Sequence, residues 1–199
     1  LFFLTALAGS LTFDNSLLVA GRFLGTRGPE GLQQLQELSK YRFLAHSGAP
    51  LLLVAALNMA GRAGVEWAAN PVYEGLVGLL ILGMVTISGI RNSLFLEIAP
   101  KWSRGILRFA YKEKFTDFTR LIPVVVSMIV TIVLGAQSYD KDSSMLPFLV
   151  GPVLAFLLNA IPPSKESNGL PQFVTGNGGE ALLFLSLVIT EGILQAHGK

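Results

Sequence analysis

The stretch Val72-Tyr73-Glu74-Gly75-Leu76-Val77-Gly78-Leu79-Leu80-Ile81-Leu82-Gly83-Met84-Val85-Thr86-Ile87-Ser88-Gly89-Ile90 carries no charge after Glu74. A bilayer core of about 30 Å is crossed by roughly 17–25 mainly apolar residues in a helix. This stretch fits that length, and Leu121–Gln137, without any charge, fits it as well. Working outward, four more apolar runs are candidate spans: Leu1–Ala20, Phe43–Ala60, Met145–Ile161 with Pro147 and Pro152 inside it, and Ala181–Ala196, interrupted by Glu191. Lipid offers peptide groups no hydrogen-bond partner, so spanning segments satisfy them internally as helices. The fold expected is all-α: a polytopic transmembrane bundle of about six spans forming a single transmembrane domain over residues 1–199. Proline inside the fifth span predicts a kink there.

Composition points the same way. Hydrophobic residues make up 51% of the 199 residues and charged residues 14%, against about 25% charged in soluble domains. The net charge of +2 is no nucleic-acid footprint. The chain has no cysteine, which excludes disulfides and thiolate metal sites within it. The placement of the basic residues is more informative. Loops on one side would hold Arg22, Arg27, Lys40, Arg42, Arg91, Lys101, Arg104, Arg108, Lys112, Lys114, Arg120 and Lys165; the other side would hold Arg62, Lys141 and Lys199. That asymmetry assigns the first group to the cytoplasm-equivalent side and both termini to the opposite one.

The basic connection between the third and fourth spans predicts structure of its own. Trp102, Ile106 and Phe109 recur at helical spacing, and Lys101, Arg104, Arg108 and Lys112 recur on another face. This reads as an amphipathic helix over 100–118 lying in the interface, its basic face suited to anionic lipid or an acidic partner, or else packed on its own bundle. Pro162–Gln172, rich in proline, asparagine and glycine, reads as a loop continuing through Thr175, Asn177, Gly178 and Gly179.

On this topology Asp14, Asn15, His46, Arg91, Asn92 and Asn159 fall in the same half of the bilayer. At about 1.5 Å per residue Asp14 lies roughly 12 Å inside Arg22. Ionisable groups at such depth are costly and are generally paired. One reading is functional, with Arg91 binding an anion and Asp14 or His46 moving a proton. The other is structural: Asp14 pairs with Arg91 and fixes spans one and three, while the asparagines bond between helices. A lone intramembrane histidine such as His46 can also ligate the magnesium of a chlorophyll, or serve as an ordinary structural side chain. The sequence holds no HExxH, no GxSxG and no Walker A lysine loop; Gly176–Glu180 is glycine-rich without Lys or Ser/Thr.

Tyr41-Arg42-Phe43-Leu44-Ala45-His46-Ser47-Gly48-Ala49-Pro50-Leu51-Leu52 and Gly61-Arg62-Ala63-Gly64-Val65, with the earlier Thr12-Phe13-Asp14-Asn15, resemble a little-characterised family of multispan membrane proteins of cyanobacteria and plastids. The resemblance covers about the first third of the chain and brings no reaction. It implies a thylakoid or plastid-envelope location. Asn58-Met59-Ala60-Gly61-Arg62 differs from the Glu–Asn–Arg helix motif of chlorophyll a/b-type antennae, because Ala55 stands where that motif has Glu. The function expected is a non-catalytic accessory or structural subunit of a membrane complex, photosynthetic and photosystem-associated. Chlorophyll and carotenoid are its candidate cofactors, His46 and Asn15 its candidate pigment contacts, and membrane lipids and other membrane subunits its partners. The alternative is a small transporter or membrane enzyme using the polar cluster.

Overall fold

The computed structural model describes residues 2–24, 27–46, 49–94, 97–103, 106–111, 118–160 and 172–199. Seven helices and one hairpin make up the described chain: α1 (Phe2–Leu24), α2 (Gly28–His46), α3 (Leu52–Arg62), α4 (Pro71–Leu94), β1 (Ile98–Ser103), β2 (Ile106–Tyr111), α5 (Phe118–Lys141), α6 (Leu146–Ala160) and α7 (Gln172–Ala196). The architecture is overwhelmingly helical. Among the described residues, two helical stretches, Ser143–Ala160 and Gly178–Ala196, are long and apolar enough to cross a membrane; Leu52–Arg62 and Pro71–Ile87 are shorter apolar stretches.

Local chemistry sets the helix ends. Asn70 accepts the Val72 N–H at 2.9 Å through its side chain, capping α4 just before Pro71, whose missing N–H costs nothing in the first turn. α3 stops in a Schellman turn: the Val65 N–H reaches the Ala60 carbonyl and the Gly64 N–H the Gly61 carbonyl, with Gly64 at a φ of 101°. α7 stops the same way, through Lys199 to Leu194 and Gly198 to Gln195, with Gly198 at a φ of 67°.

Packing is closest along α5, α6 and α7. A Cβ on Gly151 would collide with Ser186 of α7, and one on Gly135 of α5 with the Phe148 carbonyl. That carbonyl is the one Pro152 cannot serve, since proline has no N–H to give to the residue four before it. Gly135 therefore lets α5 lie against the gap in the α6 ladder. α6 runs through Pro152 as one helix. Hydroxyls buried in this region bond back to their own helices: Thr131 to the Ser127 carbonyl, Ser186 to Leu183 and Thr190 to Ser186, each at 2.7 Å.

Several helices also carry large apolar side chains on their outer faces. Leu79 is 70% exposed, Leu80 64% and Ile87 70%, while among the α4 residues with described side chains only Ile81 is fully buried. Leu146, Val150, Leu154 and Leu157 form an exposed stripe on α6; Leu185, Val188 and Ile189 are exposed on α7 and Val126, Ile129 and Val133 on α5. Ser127, Thr131, Ser138, Ser186 and Thr190 lie inside.

Several sequence expectations need correction. β1 and β2 pair as an antiparallel hairpin, with Lys101 opposite Arg108 and Trp102 opposite Leu107, where an amphipathic helix over 100–118 was expected; residues 104–105 and 112–117 of that segment lie outside the described residues. The cause is Leu107: in a helix it falls off the Trp102–Ile106–Phe109 face, whereas period-two alternation buries it together with Phe109. Only Arg104 and Gly105 separate the strands in sequence, and glycine in a two-residue connection favours a tight hairpin. The expected span 43–60 is not one helix; a 3-10 turn at Ala49–Leu51, containing Pro50, separates α2 from α3. The chain from Gly28 to Lys40, read as a connection, is helical, and Thr175, Asn177, Gly178 and Gly179 belong to α7 rather than to a loop. The loop expected over Pro162–Gln172 lies, up to 171, outside the described residues.

Candidate functional site

Charge is gathered in two places, and the helices decide both. The first is where α1 crosses α2. Asp14 is 1% exposed and forms an ion pair with Arg42 of α2, which is itself largely buried. The pair sits beside an apolar cluster of Leu17, Leu35, Leu107 and Phe109, against which Phe13 and Leu38 also pack. Gly21 gives the hairpin its approach, since a Cβ there would overlap the Leu107 backbone carbonyl. Removing one member of a buried pair costs about 3–5 kcal/mol, because the other is left as an uncompensated charge.

The described salt bridge joins α1 to α2. The expected Asp14–Arg91 pairing lies outside the described residues, because the Arg91 side chain is not among them. Reading Gly28–Lys40 as a loop put Arg42 at the edge of a span; the continuous α2 places it late in a helix packed along α1. Of the remaining cluster candidates, Asn15 and Asn159 have described side chains. Asn15 faces the exposed side of α1. Asn159 donates to the Ala155 carbonyl of its own helix at 2.9 Å and lies against Gly179 of α7. His46 ends α2, and Arg91 and Asn92 lie near the end of α4, with all three side chains outside the described residues. Of the basic interface candidates, Lys101 is exposed on β1; Trp102 and Arg108 lie on the hairpin with undescribed side chains; Arg104 and Lys112 fall outside the described residues.

The second gathering was missed in the sequence. At the far end of the bundle, the Schellman turns of α3 and α7 interlock. Arg62 Nη1 donates to Glu191 Oε2 at 2.7 Å, and its Nε and Nη2 donate to the Lys199 carbonyl at 3.1 and 2.7 Å. Gln195 donates to the other Glu191 oxygen at 2.9 Å. Lys199 Nζ donates to Asp142 Oδ2 at 2.9 Å, with His197 Nδ1 3.7 Å from the same oxygen. Asp142 Oδ1 accepts both the Ser144 hydroxyl at 2.6 Å and the Ser144 N–H at 3.0 Å, capping the turn that leads into α6. The Ser144 hydroxyl, then the Lys199 ammonium, then the Ser144 N–H hold the Asp142 carboxyl well below its ordinary value of 3.8. Nearby, Trp67 Nε1 donates to Gln137 of α5 at 2.8 Å. This clasp ties the ends of α3, α5 and α7 to the start of α6. Its sequence signal was present: Arg62 is the sole charge of α3, and Glu191 lies in the apolar half of α7, so each wanted a partner.

Chemically, the first gathering is a buried ion pair and the second a set of salt bridges and helix-end hydrogen bonds. Among the described residues no group of three or more His, Asp or Glu is placed to hold a metal ion. Comparison with family models, with curated proteins and with solved structures gave no match.

Proposed function

We propose that this chain is a non-catalytic accessory subunit of a membrane protein complex, embedded through about six crossings. The second of these is the broken pair α2–α3. One observation carries the reading: large apolar side chains face outward on α4, α5, α6 and α7, in addition to those that fill the core. Water would penalise that surface at about 25 cal/mol per Å² of exposed apolar area, whereas lipid or a neighbouring subunit would not. The Asp14–Arg42 and Arg62–Glu191 pairs each join two helices, as expected of a part whose work is to present a surface.

The resemblance of the first third to multispan proteins of cyanobacteria and plastids supports placing it in a thylakoid membrane, beside a photosystem. Chlorophyll or carotenoid would then be the bound group, with His46 at the end of α2 and Asn15 on the exposed side of α1 as the residues to examine first. The test is native separation of mildly solubilised membranes with an absorption spectrum of the fraction holding this chain. Migration in an assembly far larger than the chain, with pigment bands, is the result expected. Migration as a pigment-free monomer would overturn the reading.

The buried Asp14–Arg42 pair favours one alternative, a small transporter or membrane enzyme in which Asp14 moves a proton. Asp14→Asn separates the two: it abolishes turnover in a transporter or enzyme, and only loosens α1 from α2 in a structural subunit.

A further inference from the structure

We infer that the outward face of the β1–β2 hairpin docks on anionic phospholipid headgroups, an inference that rests on the membrane placement proposed above. The register fixes two faces. Ile98, Pro100, Trp102, Leu107, Phe109 and Tyr111 alternate onto one; Leu107 and Phe109 on it are buried against α1 and α2. Lys101 and Arg108 fall on the other, directly opposite one another, and Lys101 is exposed. Like charges in a directly opposed cross-strand pair destabilise a sheet. An anion seated over both offsets the repulsion.

Position and charge favour lipid as that anion. β1 begins at Ile98, close after α4 ends at Leu94, and α4 carries the most exposed apolar face described. A helix that crosses lipid sets the next few residues at headgroup level. From Arg91 to Arg120 the chain holds seven basic residues against three acidic ones, Glu97, Glu113 and Asp117. Basic clusters immediately flanking a span are drawn to anionic headgroups. A peptide partner adding a strand would need backbone donors along an edge, and Pro100 removes one from β1.

The test uses the full chain, delipidated in mild detergent, with phosphatidylglycerol or phosphatidylcholine added back and bound lipid counted by native mass spectrometry. The expected result is several-fold preference for phosphatidylglycerol, weakened by salt, undisturbed by inorganic phosphate, and lost in Lys101→Gln/Arg108→Gln. Lys101→Arg/Arg108→Lys, which keeps both charges, should retain it. The glutamine pair should unfold at the same temperature as the wild type or higher, because repulsion has been removed; if it does not fold, salt dependence of the wild-type preference decides. Equal retention of both lipids, a preference unchanged in the glutamine pair, or displacement by inorganic phosphate would each overturn the inference. A chain that stays monodisperse without detergent would instead overturn the membrane placement, so the two failures are distinguishable.

Discussion

Asp14 shows how much a single buried charge constrains its neighbours. With the carboxylate 1% exposed, Arg42 is the cation placed against it. Arg42→Ala should cost about 3–5 kcal/mol in detergent unfolding, and a double replacement of both residues by leucine much less. Additive losses in that cycle would mean the two do not act as a pair. Asp142 behaves differently because it is at the surface. Its carboxyl titrates below the unfolded value of 3.8. The clasp it joins is therefore fully stabilised above that value, and the stabilisation is withdrawn as pH falls through the lower, folded value. Unfolding of the wild type should be insensitive to this group from neutral pH down to about 5. Asp142→Asn should remove the acid-dependent component and lower stability at neutral pH; an unaltered acid profile would show that another carboxylate governs it.

Among the elements, α6 and α7 pack through Gly151, Ser186 and Gly179, where almost no volume is spare. Gly151→Leu should destabilise the bundle by about 1–3 kcal/mol or more, through overpacking. Gly78→Leu on α4, where a Cβ would meet nothing within 4 Å, should leave the isolated chain unharmed. Thermal unfolding of both variants checks the contrast. The long apolar helices were legible because charge-free runs such as 75–90 and 121–139 leave few alternatives. The hairpin was not, because over so few residues the periods of 2 and 3.6 share many positions, and only the burial of Leu107 separates them. α2 was overlooked because its polar residues masked the three-residue spacing of Leu32, Leu35 and Leu38. At the candidate site, the burial of Asp14 was legible but its partner was not: the partner depends on which helices touch, a fact of topology rather than of local sequence. The clasp escaped for the same reason, since Arg62 and Glu191 stand 129 residues apart.

Across the whole molecule, leucine, isoleucine and valine lie exposed along α4, α5, α6 and α7, around a core that holds large apolar side chains together with buried hydroxyls. On the proposed function, that outer surface meets an apolar surround. Part of the outer surface should face lipid and part another subunit, so Gly78→Leu, harmless to the isolated chain, becomes informative in the native complex. If α4 is an intersubunit helix, that variant should lose its place in the large assembly while folding normally.

The chain has no cysteine, so a nitroxide spin label can be put at any single position without background. The most direct measurement places it at Leu79, Leu154 or Val188, one at a time, in reconstituted membranes, and compares relaxation by oxygen, which concentrates in lipid, with relaxation by a water-soluble nickel chelate. All three sites should be open to oxygen and closed to nickel, with Lys101 showing the opposite. Nickel access at Leu79, Leu154 and Val188 equal to that at Lys101 would put those faces in water and contradict the account.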